Sequence, residues 1–377
     1  MTTQEEVKQQ FFEIFSSFFG DSENEKEENS EVVIKEWSRI FYVSHNEWKD
    51  KEINFDITDE SIATFQQFII QEKFRWEEKL EKDFYEKLQE KGHVNYSYVF
   101  NEIPLRINWS IGMGKSFMRI RKLPSKMYTP DEIWVPKIIR EEVRKYKEWW
   151  LIVVWARPGS WKSTTIASVL QELLQEKTLN VVTLEDPIEY IYLKNTKSIV
   201  QQREKIFDFD EFSTGIESCM TQYPDIVVVQ EMRNREVIRQ VMELVEKGVL
   251  VITTVHTSDA PSIFESILWA FDVSRRKEIL DKLSVLFKCF IAQKLIKRKE
   301  GEWKVAVFEV LVNSPEVKWY LADDKVGHLH QVMARKPHIL MSDAIINMVE
   351  DEVISLKDWR DACPTSRKWD LEDKIGG

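Results

Sequence analysis

Four short apolar runs in the middle of the chain constrain its fold more than any other feature. Their sequences are WLIVVW at 150–155, LNVVTLE at 179–185, DIVVVQE at 225–231 and VLVITTVH at 249–256. Each run is rich in β-branched residues, and stretches with helical spacing separate them. Strands joined in this way form a parallel sheet that is covered on both faces. We therefore predict an α/β domain that binds its ligand at the carboxyl ends of these strands.

The first third of the chain has a different organisation. An amphipathic helix is expected before Gly20, and short strands follow it. One or two helices are then expected over 59–90, and three strand-like segments come after them. Residues 1–122 are therefore predicted to form an α+β domain of mixed order.

A linker and a second domain follow. Residues 124–134, PSKMYTPDEIW, contain two prolines, which favours a linker or hinge over 123–140. Residues 141–377 form the predicted α/β domain. From about residue 260 that domain is expected to be mostly helical, apart from one strand in WKVAVFEVLV.

The charge balance excludes some classes of partner. The net charge is −11 and the pI about 5.3, so the overall field does not attract nucleic acid or anionic lipid. A nucleic-acid motor of similar fold would need a basic track interleaved with aromatic residues. We expect no nucleic-acid partner.

The sequence also predicts neither a secretory signal nor a transmembrane segment. The first ten residues, MTTQEEVKQQ, lack the basic and apolar regions of a secretory signal. The longest apolar run, 149–156, is far shorter than the roughly 20 residues that span a bilayer. A cytoplasmic protein without a transmembrane segment is expected. The three cysteines, Cys219, Cys289 and Cys363, are too widely spaced to suggest a disulfide framework or a zinc site.

The segment after the first apolar run has the outline of a phosphate-binding loop. Such a loop follows the pattern G-x-x-x-x-G-K-[ST] between a strand and a helix, because its N–H groups and the helix N-terminus converge on phosphate oxygens. Lys162 would meet the β- and γ-phosphates of ATP, and the Ser163 hydroxyl would bind Mg²⁺. The predicted nucleotide-binding residues of the loop are Pro158, Gly159, Ser160, Trp161, Lys162, Ser163 and Thr164.

Both glycine positions of this pattern hold other residues, Ala156 and Trp161. A tryptophan beside the lysine must leave the loop or occupy phosphate space, and a glycine-like backbone conformation costs another residue roughly 1–3 kcal/mol. The chain has 11 glycines among 377 residues, well under half of the roughly 7% average. Larger residues have therefore replaced glycine widely.

Polar side chains end or follow the other three runs. Glu231 ends DIVVVQE, where a carboxylate can bind Mg²⁺ or polarise the attacking water. Glu185, Asp186 and Glu189 cluster after the LNVVTL run, and His256 ends VLVITTVH. Taken singly, such carboxylates are more often solvated loop charges, and a lone histidine is more often structural.

In order and spacing, these elements resemble the type IV pilus retraction ATPases, a branch of the secretion-type motor ATPases. The matching stretches are the loop, an acidic box LEDPIEYI, the QRE at 202–204, the strand PDIVVVQEMR and a histidine box TTVHTS. The resemblance is clear over about residues 95–377 and continues through AQKLI and VFEVLVNSP. No four-cysteine cluster like that of the zinc-bearing assembly relatives is present, which favours the retraction branch.

The resemblance implies a fold and an assembly. Each subunit would have a PAS-like N-terminal domain and a RecA-like P-loop ATPase domain with a helical C-terminal segment. Six identical subunits would form a ring that binds ATP and Mg²⁺. The ring would lie in the cytoplasm, peripheral at the inner membrane, where it would contact the pilus platform protein.

The resemblance also implies roles for individual residues. Glu231 would be the catalytic Walker B acid and, with Ser163, would bind Mg²⁺. Glu185 would take part in catalysis, while Asp186 and Glu189 of the same acidic box would contact the nucleotide.

Three further residues complete the implied site. His256 would sense the nucleotide state. Arg106 and Arg121 match arginines that reach a neighbouring subunit's site, where they would compensate γ-phosphate charge. Ordinary salt bridges within the strands are the alternative for both arginines.

The chain departs from the family pattern at several points. Besides the loop glycines, Gln230 precedes Glu231 where the family has glycine, and Glu217 and Thr221 replace two arginines. The family's C-terminal motif, which is associated with retraction, appears here as EVKWYLAD at 316–323.

Two hypotheses follow. In the first, the protein is an active hexameric ATPase whose hydrolysis of ATP drives pilus retraction and twitching motility. In the second, fold and ring persist but nucleotide binding is weak or lost, because Ala156 and Trp161 replace the loop glycines.

Overall fold

A computed structural model describes residues 3–355, except 20–28, 36, 45–46, 75–77, 102, 125, 149, 158, 193–195, 256–258 and 301–303. The chain divides into two compact units. The first contains Met1–Lys126, Glu185–Ile191 and Arg203–Glu211. The second contains Met127–Leu184, Tyr192–Gln202 and Phe212–Gly377.

The first unit is built on an antiparallel sheet with the strand order β3-β2-β1-β6-β5-β4. Its elements are α1 (Gln4–Phe19), β1 (Asn29–Lys35), β2 (Trp37–Ser44), β3 (Glu47–Ile57), α2 (Asp59–Lys73), α3 (Glu78–Lys91), β4 (His93–Phe100), β5 (Ile103–Gly112) and β6 (Lys115–Lys122).

Aromatic side chains hold the helices of this unit together. Phe11 of α1 stacks on Phe65 of α2, with ring centroids 4.3 Å apart, and Phe15 meets Phe65 edge-on. Helix α2 begins at a capping box in which the Thr58 hydroxyl accepts from Ser61 N at 3.0 Å and the Ser61 hydroxyl accepts from Thr58 N. Such a cap satisfies two helix-end N–H groups and sets where the helix starts.

The elements after residue 126 complete a second sheet. They are α4 (Lys137–Arg144), β7 (Leu151–Ala156), α5 (Lys162–Glu176), β8 (Asn180–Glu185), β9 (Ile199–Glu204), α6 (Phe212–Cys219), β10 (Ile226–Val229), α7 (Arg235–Glu246), β11 (Leu250–Val255), α8 (Ser262–Leu268), α9 (Arg276–Leu286), β12 (Phe287–Lys297), β13 (Lys304–Val312), α10 (Pro315–Ala322), α11 (Leu329–Met333) and α12 (Met341–Glu350).

The centre of this sheet is parallel, as the four apolar runs predict. The strand order is β13-β12-β7-β11-β10-β8-β9, and the strands from β12 to β8 pair in parallel. Every residue of β7, β10 and β11 is buried, which explains their unbroken apolar sequences. Because parallel strands end at the same edge, this edge receives the loop after Ala156, the segment around Glu231 and the end of β11 at Val255.

Three strands were not predicted. Residues 287–297 were expected to be helical, but they form β12, which pairs with β7 and with β13. Their apolar run is compatible with either structure, and pairing with two neighbours decides for the strand. Strand β3 has many charged residues and lies at a sheet edge, and β9 also ends its sheet, so neither shows a strong hydrophobic pattern.

Ion pairs anchor the helix that follows the loop. Arg140 of α4 bonds Glu172 of α5 and also Asp131, whose oxygen is 2.6 Å away. Arg144 donates to Glu176 at 2.8 Å and to Glu172 at 2.9 Å. These carboxylates raise the pKa of both guanidinium groups through hydrogen bonds, Glu172 acting on Arg140 and Glu176 on Arg144.

Within the described residues, none of the helices has the length and apolar composition needed to cross a lipid bilayer.

Candidate functional site

The predicted phosphate loop connects β7 to α5 with two residues in left-handed conformations. Gly159 has φ 74° and Trp161 has φ 62°. Ser160 N donates to Arg157 O at 3.1 Å, which closes a turn. Trp161 thus adopts a backbone conformation that glycine reaches without strain, in agreement with its place in the motif.

The lysine of the motif lies at the start of the helix. Lys162 Nζ donates to Ala156 O at 2.7 Å, so its side chain spans the loop from the helix back to the end of β7. In the part of the chain that the structure describes, no side chain caps α5 and no acidic residue occupies its first turn. The positive end of the helix dipole therefore meets no carboxylate from its own first turn, which suits an anion.

The indole of Trp161 packs on Tyr128. The two rings are nearly parallel, with an interplanar angle of 13° and centroids 6.5 Å apart. Sequence reasoning treated Tyr128 as part of the linker and found no role for it. The sequence left two positions open for this side chain, outside the loop or in the phosphate space. The structure supports the first, with the ring turned toward the segment before α4.

A buried glutamine supports the loop from a neighbouring strand. Gln293 of β12 is 0% exposed and lies in register with Ala156. Its Nε2 donates to Ser160 O at 2.7 Å, and its Oε1 accepts from the Thr165 hydroxyl at 2.8 Å. Sequence reasoning missed this role, although an isolated glutamine inside the apolar run FIAQKLI was a visible signal.

The predicted Walker B acid follows the end of β10. Glu231 forms an ion pair with Arg233, with Oε1 and Nε 2.5 Å apart, and its side chain is 14% exposed. Gln230 N donates to Leu184 O at 2.9 Å, and the Thr254 hydroxyl donates to Gln230 O. A backbone bond to β8 and a side-chain bond from β11 therefore hold the backbone of the residue before Glu231, even though it is not the family's glycine.

The acidic box belongs to the first compact unit. Glu189 N donates to Glu185 Oε2 at 3.5 Å, and Lys205 N donates to Glu185 O at 2.8 Å. Arg106 Nη1 lies 3.5 Å from Glu189 Oε1. The structure thus brings Glu185, Asp186 and Glu189 together with Arg106, and it places the phosphate loop and Glu231 in the other unit.

The two predicted arginines are direct neighbours in the sheet. Arg106 of β5 and Arg121 of β6 are register partners in an antiparallel pair, so they share one face. Two cations in this position repel each other. Arg106 has a carboxylate partner in Glu189, whereas Arg121 makes no ion pair within the described ranges.

A buried carboxylate joins the acidic box to the first unit's sheet. Glu204 of the QRE stretch is 3% exposed, pairs with Lys73, and accepts from Ser97 N at 2.6 Å and Ile188 N at 3.4 Å. The nearby Tyr96 hydroxyl is fully buried, which raises its pKa well above the ordinary value. From the sequence alone, QRE at 202–204 indicates only family resemblance and not this buried ion pair.

The histidine box is described only as far as Val255, which ends β11. His256 and Pro158 lie outside the described residues. The segment that follows is tied down by Glu309 of β13, which accepts from Ala260 N at 2.9 Å and from Met341 N at 3.2 Å. Burial raises the pKa of Glu309, while its two backbone hydrogen bonds oppose that shift.

Comparison with known proteins gives consistent matches. The family model described as type II/IV secretion system protein matches residues 142–354. The type IV pilus retraction ATPase PilT of Pseudomonas aeruginosa is 31% identical over 263 residues, which cover 68% of this chain and 72% of PilT.

Two solved structures share the fold. The pilus retraction motor PilT with bound ADP superposes with a TM-score of 0.80 at 24% identity, covering 96% of this chain and 99% of that one. The ATPase DotB of Legionella pneumophila gives a TM-score of 0.76 at 22% identity, covering 88% and 90%. The predicted α/β fold with a RecA-like ATPase domain is confirmed, and the PAS-like assignment of the first unit stays a prediction.

Proposed function

Because the chain belongs to the type II/IV secretion system protein family, we propose that it is a motor ATPase that couples ATP hydrolysis to type IV pilus retraction. The family membership and the similarity to PilT support the general class. The loop geometry supports the nucleotide site itself.

One observation carries the proposal more than any other. Trp161 keeps the left-handed backbone of the motif glycine while its ring packs on Tyr128. Lys162 then begins α5, whose first turn has no carboxylate of its own. A larger residue thus fills one glycine position with a left-handed backbone, and this supports a loop that can receive phosphate.

The residues present fit ATP and Mg²⁺. Lys162 and the N-terminal amides of α5 would bind the β- and γ-phosphates, and the Ser163 hydroxyl with Glu231 would hold Mg²⁺. The metal, when bound, neutralises charge on the phosphate oxygens. Glu231 would give up its ion pair with Arg233 in order to bind Mg²⁺. Its carboxylate would also polarise the attacking water.

The remaining predicted residues would act from the first unit. Glu185, Asp186, Glu189, Arg106 and Arg121 lie there together. An arginine pair that repels itself is suited to an anion, so we assign Arg106 and Arg121 to the γ-phosphate of a neighbouring subunit. This assignment requires a ring, and we propose a homohexamer.

The setting of the protein follows from the same class. The motor would work in the cytoplasm, at the inner membrane, through a pilus platform protein. His256 would report the nucleotide state, as the family resemblance implies.

A titration with a fluorescent ATP analogue tests the proposal. The wild-type protein should bind the analogue in the presence of Mg²⁺ and hydrolyse ATP. A Lys162→Ala variant should lose about 10- to 100-fold in affinity, because a charged hydrogen-bond donor to phosphate is removed. Saturable binding that is unaffected by this substitution, or no binding at all, would count against an ATPase.

The second hypothesis, a ring subunit with weak or absent nucleotide binding, has its own observation. A non-glycine residue at φ 62° is strained by roughly 1–2 kcal/mol. If the folded wild-type protein assembles into rings without binding the analogue, this structural role replaces the motor function.

A further inference from the structure

Both ends of the Gln293 amide form hydrogen bonds, although the residue is fully buried. It is 0% exposed, and it bonds two parts of the phosphate loop region: Ser160 O at 2.7 Å and the Thr165 hydroxyl at 2.8 Å. Ser160 lies inside the loop, while Thr165 lies in the first turn of α5, where its N–H also donates to Trp161 O at 2.9 Å. One side chain on β12 therefore contacts the loop on both sides of Trp161.

The chemistry of these groups allows a single arrangement. A backbone carbonyl only accepts, so the Nε2 group must face Ser160. The amide oxygen then faces Thr165, whose hydroxyl must donate. Rotating the amide by 180° would place two acceptors against each other at Ser160, so the Ser160 carbonyl fixes which end of Gln293 meets the loop, and the Thr165 hydroxyl satisfies the other end.

This arrangement also orients a peptide group. In a trans peptide, the C=O and the following N–H point in opposite directions. Because the Ser160 carbonyl is held toward Gln293, the Trp161 N–H is directed away from β12. Converging N–H groups of this kind are what a phosphate loop offers to its ligand.

We propose that Gln293 is a positioning residue of the phosphate loop, which holds the Ser160–Trp161 peptide so that the Trp161 N–H meets a nucleotide phosphate. The inference rests on the proposed function and adds a residue to it. Such support of the loop matters in this chain because Trp161, unlike glycine, is strained in a left-handed conformation. The bond to Gln293 opposes relaxation of the strained residue into another conformation.

A Gln293→Met variant tests the inference, with Gln240→Met as the matched control. Gln240 is also buried, at 1% exposure, but its Nε2 donates to Glu217 at 3.1 Å. Both substitutions remove buried hydrogen bonds and should lower the melting temperature without nucleotide. Only Gln293→Met should also weaken ADP binding, measured by calorimetry with Mg²⁺, by about ten-fold or more.

Variants of Thr165 keep the test informative if Gln293→Met fails to fold. Thr165→Val leaves the buried amide oxygen of Gln293 without its donor and should weaken ADP binding several-fold, whereas Thr165→Ser keeps the hydroxyl and should bind ADP like the wild type. The double variant Gln293→Met with Thr165→Val should bind no more weakly than Gln293→Met, since the two side chains act as one unit.

The outcomes separate the two claims. If the wild type binds ADP and Gln293→Met binds it equally well, or if Gln240→Met loses as much affinity, Gln293 is only a structural residue and the inference is wrong. If the wild type does not bind ADP, the proposed function is wrong and the inference fails with it.

Discussion

The rings of Trp161 and Tyr128 lie 13° from parallel, with their centroids 6.5 Å apart. A tryptophan at the glycine position of a phosphate loop thus has a packing partner in the segment that precedes α4. The backbone of Trp161 keeps the left-handed conformation of the motif. Loop geometry and a large side chain are therefore compatible here, because the ring has somewhere else to pack.

Replacing this tryptophan should change nucleotide affinity little. In Trp161→Gly the backbone can keep its conformation. The substitution removes an indole that packs on Tyr128. We expect the affinity for a fluorescent ATP analogue to change by less than about three-fold, since relief of strain of roughly 1–2 kcal/mol is shared by free and bound protein.

Trp134→Gly is the matched control for that variant. Trp134 also has a left-handed backbone, with φ 63°, and its exposed fraction is 41%. Both variants remove a strained tryptophan, so their melting temperatures report the shared backbone effect. An affinity gain of ten-fold or more in Trp161→Gly alone would mean that the indole obstructs the phosphate site.

The arginine pair should matter for turnover rather than for folding. Arg121→Gln removes one of two neighbouring cations from β5 and β6, so we expect unchanged or slightly higher stability. If Arg121 compensates γ-phosphate charge, the hydrolysis rate should fall at least ten-fold, while nucleotide affinity changes by less than about three-fold. Steady-state ATPase assays and thermal melts measure both effects.

Arg119→Gln is the control for the arginine prediction. Arg119 lies on the same strand face two residues earlier, and its Nε is 2.8 Å from Glu31 Oε1. Its loss should leave the hydrolysis rate near the wild-type value. Equal losses of rate in both variants would indicate a general effect of charge on this face.

Removing one partner of the buried ion pair between Lys73 and Glu204 should strongly destabilise the first unit. Lys73 and Glu204 have side chains that are 21% and 3% exposed, so Glu204→Gln leaves a poorly solvated lysine charge without its partner. We expect a loss of about 3–5 kcal/mol in the free energy of unfolding, measured with denaturant. Hydrogen exchange at Ile188 N should increase as well, because that amide donates to Glu204.

Lys87→Gln offers a comparison within the same unit. Its partner Asp210 is 70% exposed, and an exposed pair contributes only about 0–1 kcal/mol. A Glu204→Gln variant that loses no more stability than Lys87→Gln would contradict the expectation that Lys73 is left as a poorly solvated, unpaired charge.

Acid should destabilise the protein through His338. This side chain is buried, Val312 N donates to its Nδ1 at 3.2 Å, and burial lowers its pKa in the folded state. The unfolded chain, with a histidine pKa of about 6.5, then binds more protons in acid, so stability falls as the pH drops below that value.

A His338→Gln variant isolates this contribution. Glutamine can accept the same backbone hydrogen bond and does not titrate. The stability of the wild type relative to the variant should fall between pH 7.5 and pH 5 in denaturant unfolding. A difference that stays constant over this range would show that His338 binds protons equally in both states.

Much of the candidate site could be predicted from local sequence. The strands β7, β10 and β11 follow from short apolar runs, and Lys162 and Glu231 follow from their positions just after two of those runs. The left-handed residue at 161 follows from the motif, whichever side chain occupies it. Local sequence is sufficient for these features, because strand burial and turn conformation depend on residues near one another in the chain.

Strand β12 shows where local information ends. Its residues 287–297 have an apolar run that is compatible with a helix, and only pairing with β7 and β13 makes them a strand. Without that pairing Gln293 would not lie beside Ala156. The helix prediction was therefore wrong because pairing with neighbouring strands, and not the local preference of these residues, determines their structure.

The sequence by itself determined the class of this protein, because the order of loop, acidic box, Glu231 and histidine box is written along the chain. The tertiary structure decided how the site is supported. Thr165 meets Gln293 across 128 residues, and Lys73 meets Glu204 across 131. Such contacts depend on which strands and helices become neighbours. Local sequence patterns do not reveal these neighbours, because they are determined by the packing free energy of segments that are distant in the chain.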